Sequence, residues 1–231
     1  MFKQRSKHKE LLDNDVIPTA DLHLNLKELN TINTLLGGYT ISYNALRKVF
    51  STKNSKVLVD IGCGGGDTLR NIEKWALKNK YALQLYGIDL KQDCITYCIK
   101  NNYTNTINFI RDDYRNAHLH IPTIDIIHAC LFCHHLTNEQ LIELIRYAQR
   151  HNATLIINDL ERNPIAYYAI KILTKLFSKS YLVRNDAPLS VARGFKKHEW
   201  LQIIATAGAH NYSVKWQWAF RHQIIIYPNA H

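Results

Sequence analysis

Val57-Leu-Val-Asp-Ile-Gly-Cys-Gly-Gly-Gly-Asp67 is the stretch on which the reading of this 231-residue chain turns. Val57, Leu58, Val59 and Ile61 make the short apolar run of a strand buried inside a parallel sheet. Gly62, Gly64, Gly65 and Gly66 follow, and glycines let the backbone turn tightly and approach a ligand closely. From Asp67 to about Lys80 the apolar spacing becomes helical, through Leu69, Ile72, Trp75 and Ala76. A strand that enters a helix through glycines leaves amide donors facing a crevice at the strand's carboxyl end. Open α/β sheets bind nucleotides there.

Working outward, the same rhythm repeats. Strands are expected at Leu83–Asp89, Ile107–Arg111, Asp125–Phe132 and Ala153–Asp159. Helices are expected between them, at about 92–101 and 138–149. In the first of these, Cys94 and Cys98 share a face and read as core. This alternation indicates a parallel sheet with helices on both faces. Two closing strands, at about 213–219 and 222–227, suit a hairpin. The glycine spacing argues against a nicotinamide enzyme: a dinucleotide turn counted from Gly62 needs its last glycine at position 67, where Asp67 stands. Asp89 closes the second strand, where a carboxylate can accept both hydroxyls of a ribose.

The order Asp60-x-Gly62-x-Gly64-x-Gly66, then Asp89, then Asp112-Asp113-Tyr114, then His134-His135-Leu136 resembles the class I S-adenosylmethionine-dependent methyltransferases over residues 56–227. The resemblance implies an α/β, Rossmann-like methyltransferase fold. Its sheet would be mostly parallel and seven-stranded, with helices on both faces and an antiparallel edge hairpin. It also implies S-adenosyl-L-methionine as cofactor and S-adenosyl-L-homocysteine as product. On that pattern Asp60, Gly62, Cys63, Gly64 and Gly66 hold the methionine end, and Asp89 the ribose. Asp113, or else Asp112, meets the adenine, with Tyr114 beside it, and Leu90 and Cys130 complete the cofactor set. His134 or His135 is the candidate catalytic group, because an imidazole can take a phenolic or enolic proton near neutrality. Cys130-x-x-Cys133-His134-His135 can also be read as metal ligands. However, Cys130 falls inside a predicted strand and no second Cys/His pair closes a site, so no metal is expected.

Two later stretches, Asn158-Asp159-Leu160-Glu161-Arg162 and Ser190-Val-Ala-Arg193-Gly-Phe195, resemble a bacterial subgroup similar to ubiquinone/menaquinone-type and polyketide-associated methyltransferases. That likeness implies O- or C-methylation of a phenolic, quinone-like or polyketide-derived acceptor. Asp159, Arg162 and Arg193 would orient its polar head, or else form an internal salt-bridge net. Base-amino methylation is disfavoured, because nothing like Asn/Asp-Pro-Pro-Tyr follows the fourth strand. No Pro-Cys nucleophile for cytosine chemistry is present. An RNA or protein methyltransferase, and a catalytically silent cofactor-binding or scaffold protein, are the alternatives.

Composition bounds the rest. Apolar residues at 46% and charged residues at 21% are ordinary for a globular chain. The formal charge of +10 invites nucleic acid, but the basic residues are spread, so a solvated surface is the simpler reading and nucleic acid is not expected. No apolar run reaches the length of a membrane span, and the basic start at Met1 lacks a signal core. Five cysteines, an odd number in apolar contexts, suit reduced thiols and a cytoplasmic location. The division expected is a helical cap at 1–52 and a cofactor-binding domain at 53–231, with a helical lid inserted at about 160–195. Within the cap, residues 1–20 read as a polar tail. Helices follow at 21–36, stopped by Gly37-Gly38, and at about 42–50. Pro164 opens a greasy helix along which Lys171, Lys175 and Lys179 recur every four residues. That helix reads as a lid, as a helix lying on an anionic membrane, or as an insert with its lysines in solvent. The oligomeric state is left open.

Overall fold

In the computed structural model, residues 2–14, 16–50 and 55–229 are described. Helices α1 (Thr19–Leu35) and α2 (Gly38–Val49) come first, and Gly37, at φ +69°, makes the turn between them. The expected boundary between 52 and 53 lies outside the described residues. The chain then alternates β1 (Lys56–Ile61), α3 (Asp67–Asn79), β2 (Leu83–Asp89), α4 (Gln92–Lys100), β3 (Ile107–Arg111), the short α5 (Ala117–His120), β4 (Ile126–Cys130), α6 (Asn138–Arg150) and β5 (Thr154–Leu160). Helices α7 (Pro164–Phe177), α8 (Tyr181–Arg193) and α9 (Lys197–Ala207) precede the hairpin of β6 (Tyr212–Gln217) and β7 (Arg221–Ile226).

The seven strands lie in the order β3-β2-β1-β4-β5-β7-β6. The first five are parallel, and β7 runs antiparallel between β5 and β6. Alternation along each strand builds two cores, because successive side chains point to opposite faces. Leu58, Ile126, Ile156 and Ile225 pack with α2, α3 and α4, as Leu46, Leu69, Ile72 and Ile95 join them. Val59, Ile127, Leu155, Ile157 and Ile224 pack on the other face with Leu141, Leu144, Trp200 and Ile203 of α6 and α9. The strand order reverses between β1 and β4, so the connections leaving their carboxyl ends diverge and open a crevice there.

Two expectations need correction, at the fourth strand and at the polar start. The fourth strand stops at Cys130 instead of reaching Phe132, because Leu131 adopts φ +53° and turns the chain. The run Arg184–Phe195 lacks helical propensity around Asn185-Asp186-Ala187-Pro188, yet α8 continues through Pro188 to Arg193. Burial of Leu182, Val183, Val191 and Ala192 overrides the local preference. The polar start is also packed. Ser6 N–H donates to the Ala192 carbonyl at 3.0 Å, and the Arg5 guanidinium sits 3.6 Å over the Phe195 ring. Leu11 and Leu12 N–H groups donate to the two carboxylate oxygens of Asp186 at 2.8 and 2.9 Å. Residues 2–14 are therefore a strap laid across α8.

Candidate active site

The crevice at the carboxyl ends of β1, β2 and β4 encloses about 430 Å³. Its floor is the glycine turn, where Gly62, Gly64 and Gly66 hold φ of +63°, +52° and +68°. These are left-handed angles that side chains other than glycine's rarely adopt. At Gly62 a Cβ would also stand 2.1 Å from the Phe132 ring, so the turn and the loop after β4 are fitted to each other. Asp60, Gly62, Cys63, Gly64, Asp89, Leu90, Asp112, Asp113, Tyr114 and Cys130 all line the crevice. Gly66 does not. It caps the start of α3 and faces Cys98 and Phe109, so its part is to shape the turn.

Acceptor oxygens dominate the inner wall. Asp60 is buried and its Oδ1 lies 2.7 Å from His128 Nδ1. Asp89 accepts the Gly64 N–H and the Lys91 N–H, each at 2.9 Å, which fixes the carboxylate against the turn while leaving further lone pairs. Burial pushes the Asp89 carboxyl above its usual range. Asp67, which opens α3, lines the same wall and is also raised by burial. Tyr39 of α2 donates its hydroxyl to Asp67. Asn33 of α1 is buried at the same wall, and its Oδ1 has no hydrogen-bond partner among the described residues. A single acidic residue at a helix start reads as an ordinary N-terminal preference, so nothing in the sequence marked Asp67.

The outer rim is already paired. Asp113 takes the Arg115 backbone N–H and guanidinium at 2.6–2.9 Å and caps the turn of helix that follows. Asp112 accepts from Asn116 and from the Asp113 N–H, and bonds the His120 ring at 2.6 Å. The His120 bond holds its carboxyl down at about 2. Tyr114 stands edge-on to Phe132 at 5.9 Å, giving the rim an apolar corner.

The two histidines part company. His135 lines the crevice, whereas His134 is buried behind it. His134 Nδ1 lies 2.7 Å from Asp159 Oδ1, and its N–H donates to Asp159 Oδ2 at 3.1 Å. His135 Nδ1 stands 3.1 Å from Asp13 Oδ1 of the strap. Glu10 approaches both rings, 3.6 Å from His134 Nε2 and 3.8 Å from His135 Nε2. Burial raises the Glu10 carboxyl to about 7. Glu10, His134 and His135 converge within 4.8 Å, a donor set that could hold a divalent ion. Here the Arg193 guanidinium, 3.8 Å from Glu10 and 2.9 Å from Asp13, supplies the neutralising charge.

Asp159, Arg162 and Arg193, expected at the acceptor, do not line the crevice. Asp159 is fully buried under His134. Arg193 donates to the His134 and His135 carbonyls and to Asp13, tying the histidine loop to the strap. Arg162 is 1% exposed and grips Glu199 with two bonds at 2.8 and 3.0 Å. It also donates to the carbonyls of Phe2 and Gly194. A fully desolvated guanidinium needs all its donors occupied, and this one spends them internally. Among the described residues, Asp159, Arg162 and Arg193 thus have internal partners: His134, Glu199 and Asp13.

His128, the buried partner of Asp60, is the neighbour of the crevice wall that no sequence signal revealed. It is an isolated histidine inside an apolar strand, and only the β1–β4 register, which sets it opposite Asp60, gives it a partner.

Residues 58–154 match the family described as "Methyltransferase domain". No curated protein matches the sequence. Among solved structures, the plantazolicin methyltransferase BpumL in complex with SAH is 20% identical, with a TM-score of 0.64 over 91% of this chain and 90% of that one. Human N-acetylserotonin methyltransferase in complex with SAM is 13% identical, with a TM-score of 0.61 over 92% of this chain and 57% of that one. The CMeT domain of the citrinin polyketide synthase is 13% identical, with a TM-score of 0.56 over 76% of this chain and 47% of that one. This chain thus spans about half the length of that last structure. The shared architecture is the Rossmann-like methyltransferase fold, with its antiparallel edge hairpin.

Proposed function

We propose that the methyltransferase domain at residues 58–154 serves an S-adenosylmethionine-dependent enzyme whose acceptor is an apolar small molecule. The observation that carries the donor assignment is the inner wall of the crevice. Asp60, Asp67, Asp89 and Asn33 Oδ1, which is unpartnered among the described residues, present acceptors around a glycine turn. Carboxylates repel a pyrophosphate and attract a cation, so this wall suits a ligand bearing an ammonium and a sulfonium. When bound, that donor supplies a methyl carbon already activated by its sulfonium.

The chain's work is then alignment and exclusion of water. Asp60 and Asn33 receive the amino group, Asp89 the ribose hydroxyls, and the Asp112–Tyr114 rim the adenine. Leu12, Leu26, Leu29, Phe132 and Leu136 wall the remaining space with apolar surface. His135, held through Nδ1 by Asp13, takes or polarises the acceptor's proton at Nε2. His134, Asp159 and Arg193 position that loop from behind. A phenolic, quinone-like or polyketide-derived acceptor fits such a wall, with methyl transfer to oxygen or carbon. Residues 1–52 act as the cap and 160–195 as the insertion. The five free cysteines support a reducing, cytoplasmic setting.

Calorimetric titration with S-adenosylmethionine and, separately, NADH tests the donor. Micromolar affinity for the first alone, lost by at least about tenfold in Asp89→Ala, is the expected result. Absence of S-adenosylmethionine binding would overturn the proposal. Binding without methyl transfer to any member of a phenol and quinol panel would favour a silent cofactor-binding protein.

A further inference from the structure

Helix α7 is packed with its greasy side out. Ala166 and Thr174 are buried and Tyr167 and Ile170 half-buried, with Tyr167 against the Phe2 ring. Most of its large apolar side chains face solvent: Ile165, Ile172, Leu176 and Phe177 are 59–78% exposed, with Tyr168 and Leu173 beside them. An amphipathic helix of a globular protein normally does the reverse. Scattered exposed apolar residues are ordinary, but a contiguous strip on one helix marks an interaction surface.

The charge around the strip identifies what it meets. Residues 163–185 contain Lys171, Lys175, Lys179 and Arg184 and no acidic residue. Lys171 and Lys175 follow the flank of the apolar strip, one turn apart, and Lys171 reaches 5.8 Å from the Tyr167 ring. A lysine on such a flank can lay its stem along apolar surface and hold its ammonium at a polar boundary. Exposed tyrosines at positions 168 and 181 suit the same boundary. With 14 residues the helix extends roughly 21 Å, and no helix among the described residues is long and apolar enough to cross a membrane.

We infer that α7 is a membrane-docking helix that lies in the surface of an anionic phospholipid bilayer, its apolar strip among the acyl chains and its lysines on the headgroups. Electrostatic complementarity selects lipid over a protein partner, because the strip carries no acidic side chain and only the Tyr168 hydroxyl as a hydrogen-bonding group, which a polar boundary satisfies without fixing a register. The location gives it a use. Helix α7 leaves the carboxyl end of β5 and packs on α8, and α8 carries the strap whose Leu12 and Asp13 wall the crevice. An apolar acceptor dissolved in the bilayer would then reach the crevice without crossing water. This use rests on the proposed function, whereas the docking does not.

Flotation of the full chain with vesicles tests it, using phosphatidylcholine mixed with phosphatidylglycerol and phosphatidylcholine alone. The expected result is recovery with the mixed vesicles, weakened by salt. Ile172→Glu/Leu176→Glu should reduce binding at least about tenfold, and Lys171→Glu/Lys175→Glu should shift the salt dependence. All four positions are exposed, so the variants should keep the wild-type thermal midpoint and the wild-type affinity for S-adenosylmethionine. No recovery of the wild type, or equal recovery of the Glu variants, would overturn the inference. So would a wild-type dimer in light scattering that Ile172→Glu/Leu176→Glu converts to monomer, since a second copy would then cover the strip. Donor titration on the same samples separates failure here from failure of the enzymatic reading.

Discussion

His128 Nδ1 lies 2.7 Å from Asp60 Oδ1 while His128 Nε2 lies 2.9 Å from Ser42 Oγ, so the buried carboxylate at the glycine turn is tied through one imidazole to helix α2. In the tautomer that satisfies both contacts, Nδ1 donates to Asp60 and Nε2 accepts the Ser42 hydroxyl proton. Asn158 Nδ2 completes the row by donating to Ser42 Oγ at 3.2 Å. Helix α2 and the crevice wall are thus joined by a chain of directed bonds. His128→Leu leaves Asp60 buried without this partner. It should cost about 3 kcal/mol in denaturant unfolding and weaken S-adenosylmethionine binding about tenfold in calorimetry. Wild-type affinity in a folded His128→Leu protein would show that the relay does not set the Asp60 carboxylate.

The glycine turn offers an internal comparison. Gly62 and Gly208 both hold positive φ, +63° and +79°, but a Cβ at 62 meets Phe132 whereas nothing lies within 4 Å at 208. Gly208→Ala should therefore cost only the backbone strain, about 1 kcal/mol, and leave donor affinity alone. Gly62→Ala should cost more and displace Phe132 from the crevice. Parallel thermal melts and donor titrations distinguish the two positions. Equal effects would mean that the Phe132 contact is unimportant.

The two histidines differ in position, His135 lining the crevice and His134 buried behind it. His135→Gln should lower turnover by about a hundredfold with little change in donor affinity, since the ring lines the crevice and is proposed to meet the acceptor's proton there. His134→Gln acts behind the wall, where it disturbs Asp159, and should lower stability first. Steady-state rates beside melting curves make the assignment. It fails if His134→Gln loses turnover while His135→Gln keeps it.

Arg162 and Glu199 test whether the predicted acceptor residues are structural. Arg162→Met would strip Glu199 of a two-bond partner and leave the Phe2 and Gly194 carbonyls short of a donor. A loss of about 3 kcal/mol in unfolding free energy is expected, with an unchanged KM for a working acceptor. A raised KM with unchanged stability would return Arg162 to the acceptor site.

Glu10 gives the strap a pH dependence. Its carboxyl rises from 4.5 to about 7 on folding, chiefly through burial. A raised carboxyl favours the fold while protonated, so its contribution is present below 4.5 and is lost as pH climbs through about 7. The size is on the order of 3 kcal/mol. Asp13 works in the opposite sense. The His135 and Arg193 contacts hold its carboxyl below its usual range, so its contribution is present above 3.8 and is lost in acid. Glu10→Gln should therefore gain stability relative to wild type between pH 5 and pH 8. Denaturant midpoints across that range measure it, and a constant difference would place the Glu10 carboxyl at its ordinary value.

The amino-acid order by itself determined the strands, their helices and the glycine turn, because each of these is a local pattern. Val57–Ile61 must be buried on both faces, Gly62 and Gly64 supply angles that few side chains tolerate, and Asp89 closes its strand on any reading. What tertiary structure alone decided are the relations between distant segments. His128 finds Asp60 only through strand register. Helix α8 persists through Pro188 because its neighbours bury it. The polar strap at 2–14 packs because Asp186, Arg193 and the histidine loop, all more than a hundred residues away, offer it partners. Asp159, Arg162 and Arg193 carry the same functional groups whether they hold an acceptor or each other's loops. The choice between those roles depends on which donors and acceptors the fold brings within about 3 Å, and a sequence does not contain that distance.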